Sequence, residues 1–468
     1  MSILQSMVYD ILRIGGAGGP PEEPILPCTT TKARPTLVYS PESRALQQSK
    51  NEINLFYQEG KWDDYKKITN PYEYIFLSWN RRSSRSVATR QPLSRSYFKM
   101  IELWKTLDCT EYFRPMLQSG LRTAHAAEGP GGFIEACACV AQRNGFPLES
   151  AFAITLRSDV KNIPGWRKAT RFLEANPQIR IHEGEDGTGN ILRRANQDAF
   201  VATVKEKHPD GVHLFTADGG FDFSNDYNAQ EDSVFPLLLA EAILGLRVLR
   251  KGGCLIMKCF DTLEQPTLDL VWLLSRSFYE WQIIKPRTSR AGNAERYFVG
   301  KGFLDSIEDI LATLLDYQLK GVYTSPILAP EHSKARQEMM AQVADLQEQI
   351  EHVEISVIRE TLDLIKSTEQ SIVKKHVKAN VLRSIAWCKE HEEEISEGWT
   401  HEFDKNVQKE VLDLIHILNP PSNHMNHSYM RSTISSTVTF ESFRSGVVTE
   451  VMPSVNPFMK IKGKFLGV

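Results

Sequence analysis

The sequence predicts an α/β protein: a Rossmann-like sheet of seven strands, the last antiparallel, followed by a helical C-terminal region. Three observations carry this. Short apolar runs alternate with helix-length stretches from about residue 120 to 300, the pattern of a parallel sheet covered on both faces. Ala126-Ala127-Glu128-Gly129-Pro130-Gly131-Gly132-Phe133-Ile134-Glu135 reads as a strand end, a tight Gly/Pro turn and a helix start. Past Phe303 the strand signal stops and helical periodicity takes over.

The strand-like runs are Thr123–Ala127, Ala151–Thr155, Ile179–His182, Val212–Ala217, Cys254–Phe260, Trp281–Lys285 and Arg296–Val299. Between most of them lie helix-like runs at Phe133–Arg143, Gly165–Ala175, Asn190–Lys207, Phe235–Arg250 and Gln265–Phe278. The connection joining the last two strands contains Pro, Ser and Gly, so the final strand is expected antiparallel and inserted between neighbours. Ligands in open α/β sheets lie beyond the carboxyl ends of the strands, which is where candidate residues should collect.

The flanks are read more coarsely. Residues 1–70 read as a partly flexible N-terminal extension, with Gly15 to Pro21 a linker and a helix near Ser49–Trp62. No convincing strand precedes Gly15, and two prolines follow the glycines. Residues 71–303 form the sheet domain, 304–420 the helical region and 421–468 a polar tail. Leu304–Leu319 reads as helical. Met339, Val343, Leu346, Ile350, Val353 and Val357 then make a heptad-like seam. A helix packed within its own domain accounts for it better than a coiled coil of about three repeats.

Composition narrows the class. Of 468 residues 41% are hydrophobic and 24% charged, which suits a globular protein. A net charge of −3 means that any nucleic-acid surface is a local patch. Seven scattered cysteines without a C-x-x-C pair argue against a disulfide framework and a structural zinc site, and no metal is expected. No apolar run is long enough to span a membrane. The expected setting is intracellular, cytoplasmic or nuclear.

Charged residues at strand ends carry the chemistry. Asp218 closes the strand Phe215-Thr216-Ala217, and Lys258 closes Leu255-Ile256-Met257. Glu295 opens the last strand, and Lys99 follows Ser94-Arg95-Ser96-Tyr97-Phe98. A lysine at the end of an apolar strand is costly without a partner or a task. Each of the four read alone is an ordinary ion-pair member. Gathered at one sheet edge they form a coupled site able to shift a lysine pKa. The run Arg81 to Lys99, with Arg82, Arg85, Arg90 and Arg95, holds no acidic residue. It reads either as a solvated loop or as phosphate contacts, the latter favoured by its place ahead of the Gly-rich turn.

In these stretches the chain resembles the FtsJ/RrmJ-type 2′-O-ribose RNA methyltransferases. It resembles most their cap-specific mRNA branch from eukaryotes and large DNA viruses. The family's Lys-Asp-Lys-Glu tetrad falls on Lys99, Asp218, Lys258 and Glu295, the last three spaced by 40 and 37 residues. Glu128, Gly129, Pro130, Gly131, Gly132 and Phe133 resemble its S-adenosylmethionine loop, and Asp218-Gly219-Gly220-Phe221 resembles the cap branch. The likeness runs from about Asn70 to Phe303.

The resemblance implies methyl transfer from S-adenosylmethionine to a ribose 2′-OH, on the first transcribed nucleotide of capped mRNA. Lys258 is the expected general base. Thr155, Asp186 and Asp218 are further cofactor candidates, Thr155 standing where many methyltransferases place an acidic ribose ligand. Arg81, Arg82, Arg85, Arg95 and Arg290 are the RNA candidates, with Arg287 beside them and Trp79 or Tyr97 as stacking surfaces or, more commonly for aromatics, core. A protein partner would use the C-terminal helices. The alternatives are a ribosomal or other internal ribose, or a non-catalytic RNA-binding scaffold.

Overall fold

A computed structural model of the chain describes residues 11–20, 25–28, 40–57, 61–77, 86–117, 119–157, 165–220, 230–330, 333–367 and 369–418. Arg81, Arg82, Arg85, Trp79 and the polar tail 421–468 lie outside the described residues.

The sheet has eight strands: β1 (Leu12–Ala17), β2 (Leu121–Ala126), β3 (Leu148–Ile154), β4 (Ile179–His182), β5 (Val212–Ala217), β6 (Leu249–Cys259), β7 (Phe278–Lys285) and β8 (Arg296–Phe303). Their order is β1-β7-β8-β6-β5-β2-β3-β4. The strands from β4 to β6 run parallel, and β8 is inserted antiparallel between β6 and β7. All six residues of β5 are buried, as expected of a central strand covered on both faces.

The eighth strand corrects the seven-strand expectation. Gly15–Ala17, the start of the stretch read as a linker, belongs to a strand that pairs antiparallel with β7, from Leu12 opposite Lys285 to Ala17 opposite Glu280. Its glycines are there for clearance, not for looseness. A Cβ on Gly15 would come within 2.3 Å of the Trp281 carbonyl oxygen, and one on Gly18 within 2.0 Å of that of Phe278. Glycines that look like a linker thus allow an edge strand to lie close against the sheet.

The sheet separates two cores. One holds Phe215, Leu255, Met257 and Phe298 with the helices Arg194–Lys207, Gln230–Val248, Gln265–Ser275 and Glu308–Lys320. The other holds Leu214, Ile256, Tyr297 and Val299 with the helices Ser96–Thr106, Gly132–Arg143 and Gln370–Glu390. Odd and even residues of one strand serve opposite cores, as the pleat requires.

Helix Lys334–Ser367 joins both, Met339 to Val357 in the first core and Ile355 to Ile365 in the second. The heptad-like residues are buried inside the chain's own fold. Pro41–Tyr57 and Lys61–Thr69 pack against the same long helix, two helices where one near Ser49–Trp62 was expected. Among the described residues, no helix is long and apolar enough to cross a membrane.

Candidate active site

Lys99, Asp218, Lys258 and Glu295 meet at the carboxyl edge of the sheet. Lys258 lies directly opposite Tyr297 in the β6–β8 ladder, so both side chains leave the same face. Lys258 Nζ is 3.3 Å from Asp218 Oδ1 and donates to the Asp218 carbonyl oxygen at 2.8 Å. Lys99 Nζ lies 2.6 and 2.8 Å from the two carboxylate oxygens of Glu295.

Tyr297 ties the two pairs together. Its hydroxyl lies 2.9 Å from Asp218 Oδ1 and 3.4 Å from Glu295 Oε1. Sequence reasoning did not single it out. The available signal was its register: it is the strand residue two past Glu295 and faces the same core.

The electrostatics follow from burial and neighbours. Burial would raise the Glu295 pKa, but Lys99 and Lys258 outweigh it and hold the carboxyl at about 2. Burial pulls Lys258 down, yet Asp218, Glu295 and Glu241 overcome it and leave its pKa above the ordinary lysine value. In this state Lys258 is an ammonium. Burial also raises Tyr297 well above the usual phenol range, with Asp218 and Glu295 adding to it. It is therefore a neutral donor between two carboxylates.

The Gly-rich turn adjoins these groups. Gly131 has φ 103° and starts the helix Gly132–Arg143. A Cβ on Gly132 would meet Ser96 Oγ at 2.2 Å and Ser94 Oγ at 2.3 Å. The turn is thereby seated on the N-terminus of the helix that carries Lys99, and Leu93 N–H donates to Glu135 Oε2 at 2.7 Å across the same junction. Phe133 lies in the core, its ring 5.8 Å from that of Tyr297.

Glu128 is buried, with its pKa raised by that burial. Thr216 hydroxyl donates to its Oε1, and its Oε2 lies 3.2 Å from His125 Nδ1. Thr155 Oγ1 accepts from Gly129 N–H at 3.4 Å. Gly189, at φ 63°, lies so close to Thr155 that a Cβ would meet its carbonyl oxygen at 2.0 Å. The glycine turn and the 184–190 loop thus close on one strand end. Backbone free of Cβ atoms and a helix N-terminus, with a buried carboxyl at the strand end, fit a cofactor that lies along the turn.

Other sequence candidates have structural partners. Asp186 accepts from Thr188 N–H at 2.9 Å, Asn196 Nδ2 at 3.0 Å and Arg193 Nη1 at 2.5 Å, organising its own loop. Arg290 forms a two-pronged pair with Glu73 at 2.8 and 3.0 Å, and Arg95 reaches the same carboxylate at 3.4 Å. Arg287 is held by Glu102 and Glu390, each at 2.9 Å. Tyr97 is fully buried, with its hydroxyl donating to Glu393 at 3.0 Å, so it is a core residue and not a stacking surface. Glu73 had no sequence signal, because its partners lie 22 and 217 residues away.

The family description FtsJ-like methyltransferase matches residues 92–303. Curated relatives share its central part. Cap-specific mRNA (nucleoside-2′-O-)-methyltransferase 1 of Drosophila melanogaster is 34% identical over 174 residues, 37% of this chain and 21% of that protein. The Homo sapiens protein of that name is 35% identical over 202 residues, 42% of this chain and 23% of its own. The Leishmania braziliensis one is 29% identical over 259 residues, 54% of this chain and 63% of its own. The chain thus spans under a quarter of the fly and human proteins it matches. Residues 92–303 are similar to the FtsJ-like methyltransferases, with cap-specific mRNA (nucleoside-2′-O-)-methyltransferases among the relatives they match.

Proposed function

We propose that the chain transfers a methyl group from S-adenosylmethionine to a ribose 2′-oxygen of RNA, on the first transcribed nucleotide of a capped mRNA. One observation carries the chemistry: Lys99, Glu295, Tyr297, Asp218 and Lys258 form a single hydrogen-bonded string at the sheet edge, beside the glycine turn. The capped 5′ end is favoured by the relatives, whose names specify that substrate.

When bound, S-adenosylmethionine supplies the methyl group on an activated sulfonium. Glu128, the turn 129–132, Phe133 and Thr155 would hold it, with Asp186 keeping the 184–190 loop in place. Lys258 Nζ would accept the proton of the 2′-hydroxyl that takes the methyl group, the neutral thioether being the leaving group. For this Lys258 must be neutral. It begins protonated, held so by its carboxylate neighbours. Added positive charge beside it and loss of the remaining water would both lower its pKa toward the free amine. Asp218 fixes its position, and Lys99 with Glu295 sets the other side of the pocket. Positioning of this kind supplies much of a rate enhancement.

RNA would enter over Arg95 and Arg290, whose side chains are 24% and 33% exposed despite their shared carboxylate. Arg81, Arg82 and Arg85 remain phosphate-contact candidates. The test is transfer of labelled methyl to short RNAs with an N7-methylguanosine cap, without a cap, or taken from ribosomal RNA. Label confined to capped RNA supports the reading. Label on uncapped or ribosomal RNA moves the substrate to an internal ribose. Cofactor binding with no transfer to any RNA favours a scaffold.

A further inference from the structure

A third lysine lies behind the tetrad. Lys285 ends β7 and is 4% exposed. Its Nζ donates to the Asn293 carbonyl at 2.5 Å, to Asn293 Oδ1 at 3.1 Å and to the Glu295 carbonyl at 3.0 Å. An ammonium has three protons and no acceptor, and these three oxygens engage all of them. Ser289 Oγ, also buried, reaches Asn293 Oδ1 and the Glu295 carbonyl at 3.2 Å each.

Asn293 and Glu295 lie at the far end of the connection between β7 and β8, which is irregular throughout. Nothing in the strand ladders holds that end, because the β7–β8 and β6–β8 pairings begin only at Tyr297 and Arg296. Lys285 and Ser289 tie it from behind, together with Arg296 Nε, which donates to the Ala294 carbonyl at 3.0 Å. The Glu295 backbone is fastened from behind while its carboxylate faces Lys99.

Burial of a lysine needs opposing charge. Burial lowers the Lys285 pKa to about 8. Glu354 and Glu295 support its charge, while Arg296 and Lys99 oppose it. Glu354 comes from the long helix Lys334–Ser367, outside the matched segment. It is fully buried, and neither carboxylate oxygen has a hydrogen-bond partner among the described residues. It faces Lys50, Asp261, Lys285 and Arg296. Burial raises its pKa, with Lys50, Lys285 and Arg296 pulling the other way.

We propose that Lys285 is a positioning residue: by pinning the Asn293–Glu295 end of the connection, it places the Glu295 carboxylate against Lys99 and Tyr297. Only the kinetic consequence rests on the ribose-methylation reading.

The test uses the full chain with Lys285→Met, Glu295→Gln and the double variant, and has two readouts. The first is the crystal structure of Lys285→Met. The expected result is a displaced 293–295 backbone with the Lys99–Glu295 contact opened; an unchanged contact overturns the proposal. The second is kinetic. Removing a charged hydrogen-bond donor should lower kcat about 10- to 100-fold, with cofactor affinity within about twofold of wild type. Because Lys285 acts through Glu295, adding Lys285→Met to Glu295→Gln should cost little more. Independent, multiplying losses overturn the proposal.

If Lys285→Met does not fold, Ser289→Ala carries the same test, with a smaller loss and the same non-additivity expected. A wild-type chain that methylates no RNA refutes the ribose-methylation reading instead. The crystallographic readout then decides the role of Lys285 alone.

Discussion

Tyr297 shows how the site works residue by residue. Its hydroxyl gives one proton to a region bounded by two carboxylates, at 2.9 Å from Asp218 and 3.4 Å from Glu295. Tyr297→Phe keeps the ring in the core and removes that proton. A lost hydrogen bond to a charged group is worth about 1.5–3 kcal/mol, so kcat should fall about 10- to 100-fold with cofactor affinity kept. The less satisfied carboxylates should also hold Lys258 more firmly protonated, moving the rising limb of the pH–rate profile to higher pH. A Phe variant with wild-type kcat and profile would remove Tyr297 from the account.

Glu295 gives a stability prediction at the same scale. Its pKa is about 2 in the fold against an ordinary 4.5. A depressed carboxyl contributes stability that is present above the unfolded value and lost as pH falls through the folded one. The wild type should therefore lose stability between about pH 4.5 and 2, and Glu295→Gln should lose less across that window. Equal pH slopes in denaturant unfolding would contradict this.

Asp218, Lys258 and Glu295 were legible because residue type and strand-end placement survive in one dimension, and Lys99, on a helix, joined them through the family resemblance. Tyr297 and Lys285 were not, because their roles arise from cross-strand register and from a folded-back connection. The engagement of Arg95 and Arg290 by Glu73 was hidden for the same reason: a distant carboxylate decides how much of each guanidinium is left for a ligand.

At the scale of elements, the proposed cofactor cradle rests on glycines in two separate loops. Gly189→Ala places a Cβ 2.0 Å from the Thr155 carbonyl oxygen at φ 63°. The strain, about 1–3 kcal/mol for a residue forced into such a conformation, should weaken cofactor binding about tenfold or more by calorimetry. Unchanged binding would separate the 184–190 loop from the site. The β-strand and helix alternation was readable because buried parallel strands are continuous apolar runs. Strand β1 was missed because Gly15, Gly16 and Gly18 imitate a linker, and only the nearness of Trp281 and Phe278 shows why glycine is needed.

Across the whole molecule, the regions outside the matched segment are built into it. Tyr97, two residues before Lys99, donates to Glu393, and Arg143 of the glycine-turn helix reaches the same carboxylate at 2.7 Å. Trp387 is 1% exposed, with its ring 5.8 Å from that of Phe98. Trp387→Ala should cost about 3–5 kcal/mol, as large-to-small changes in a core do, and should reduce transfer by loosening the Lys99 helix. A chain ending at residue 330 should melt at lower temperature and lose activity along with these contacts. A shortened chain with full activity would make the C-terminal helices an independent module. Periodicity revealed those helices, but not which carboxylates they would present to the site.

The most direct measurement is methyl transfer by wild type and Lys258→Ala from labelled S-adenosylmethionine to capped RNA, followed by digestion to nucleosides and identification of the labelled one. The account predicts a 2′-O-methylnucleoside from the first transcribed position with wild type. It predicts none with Lys258→Ala, although that variant still binds the cofactor. Label on a base, or undiminished transfer by Lys258→Ala, would contradict it.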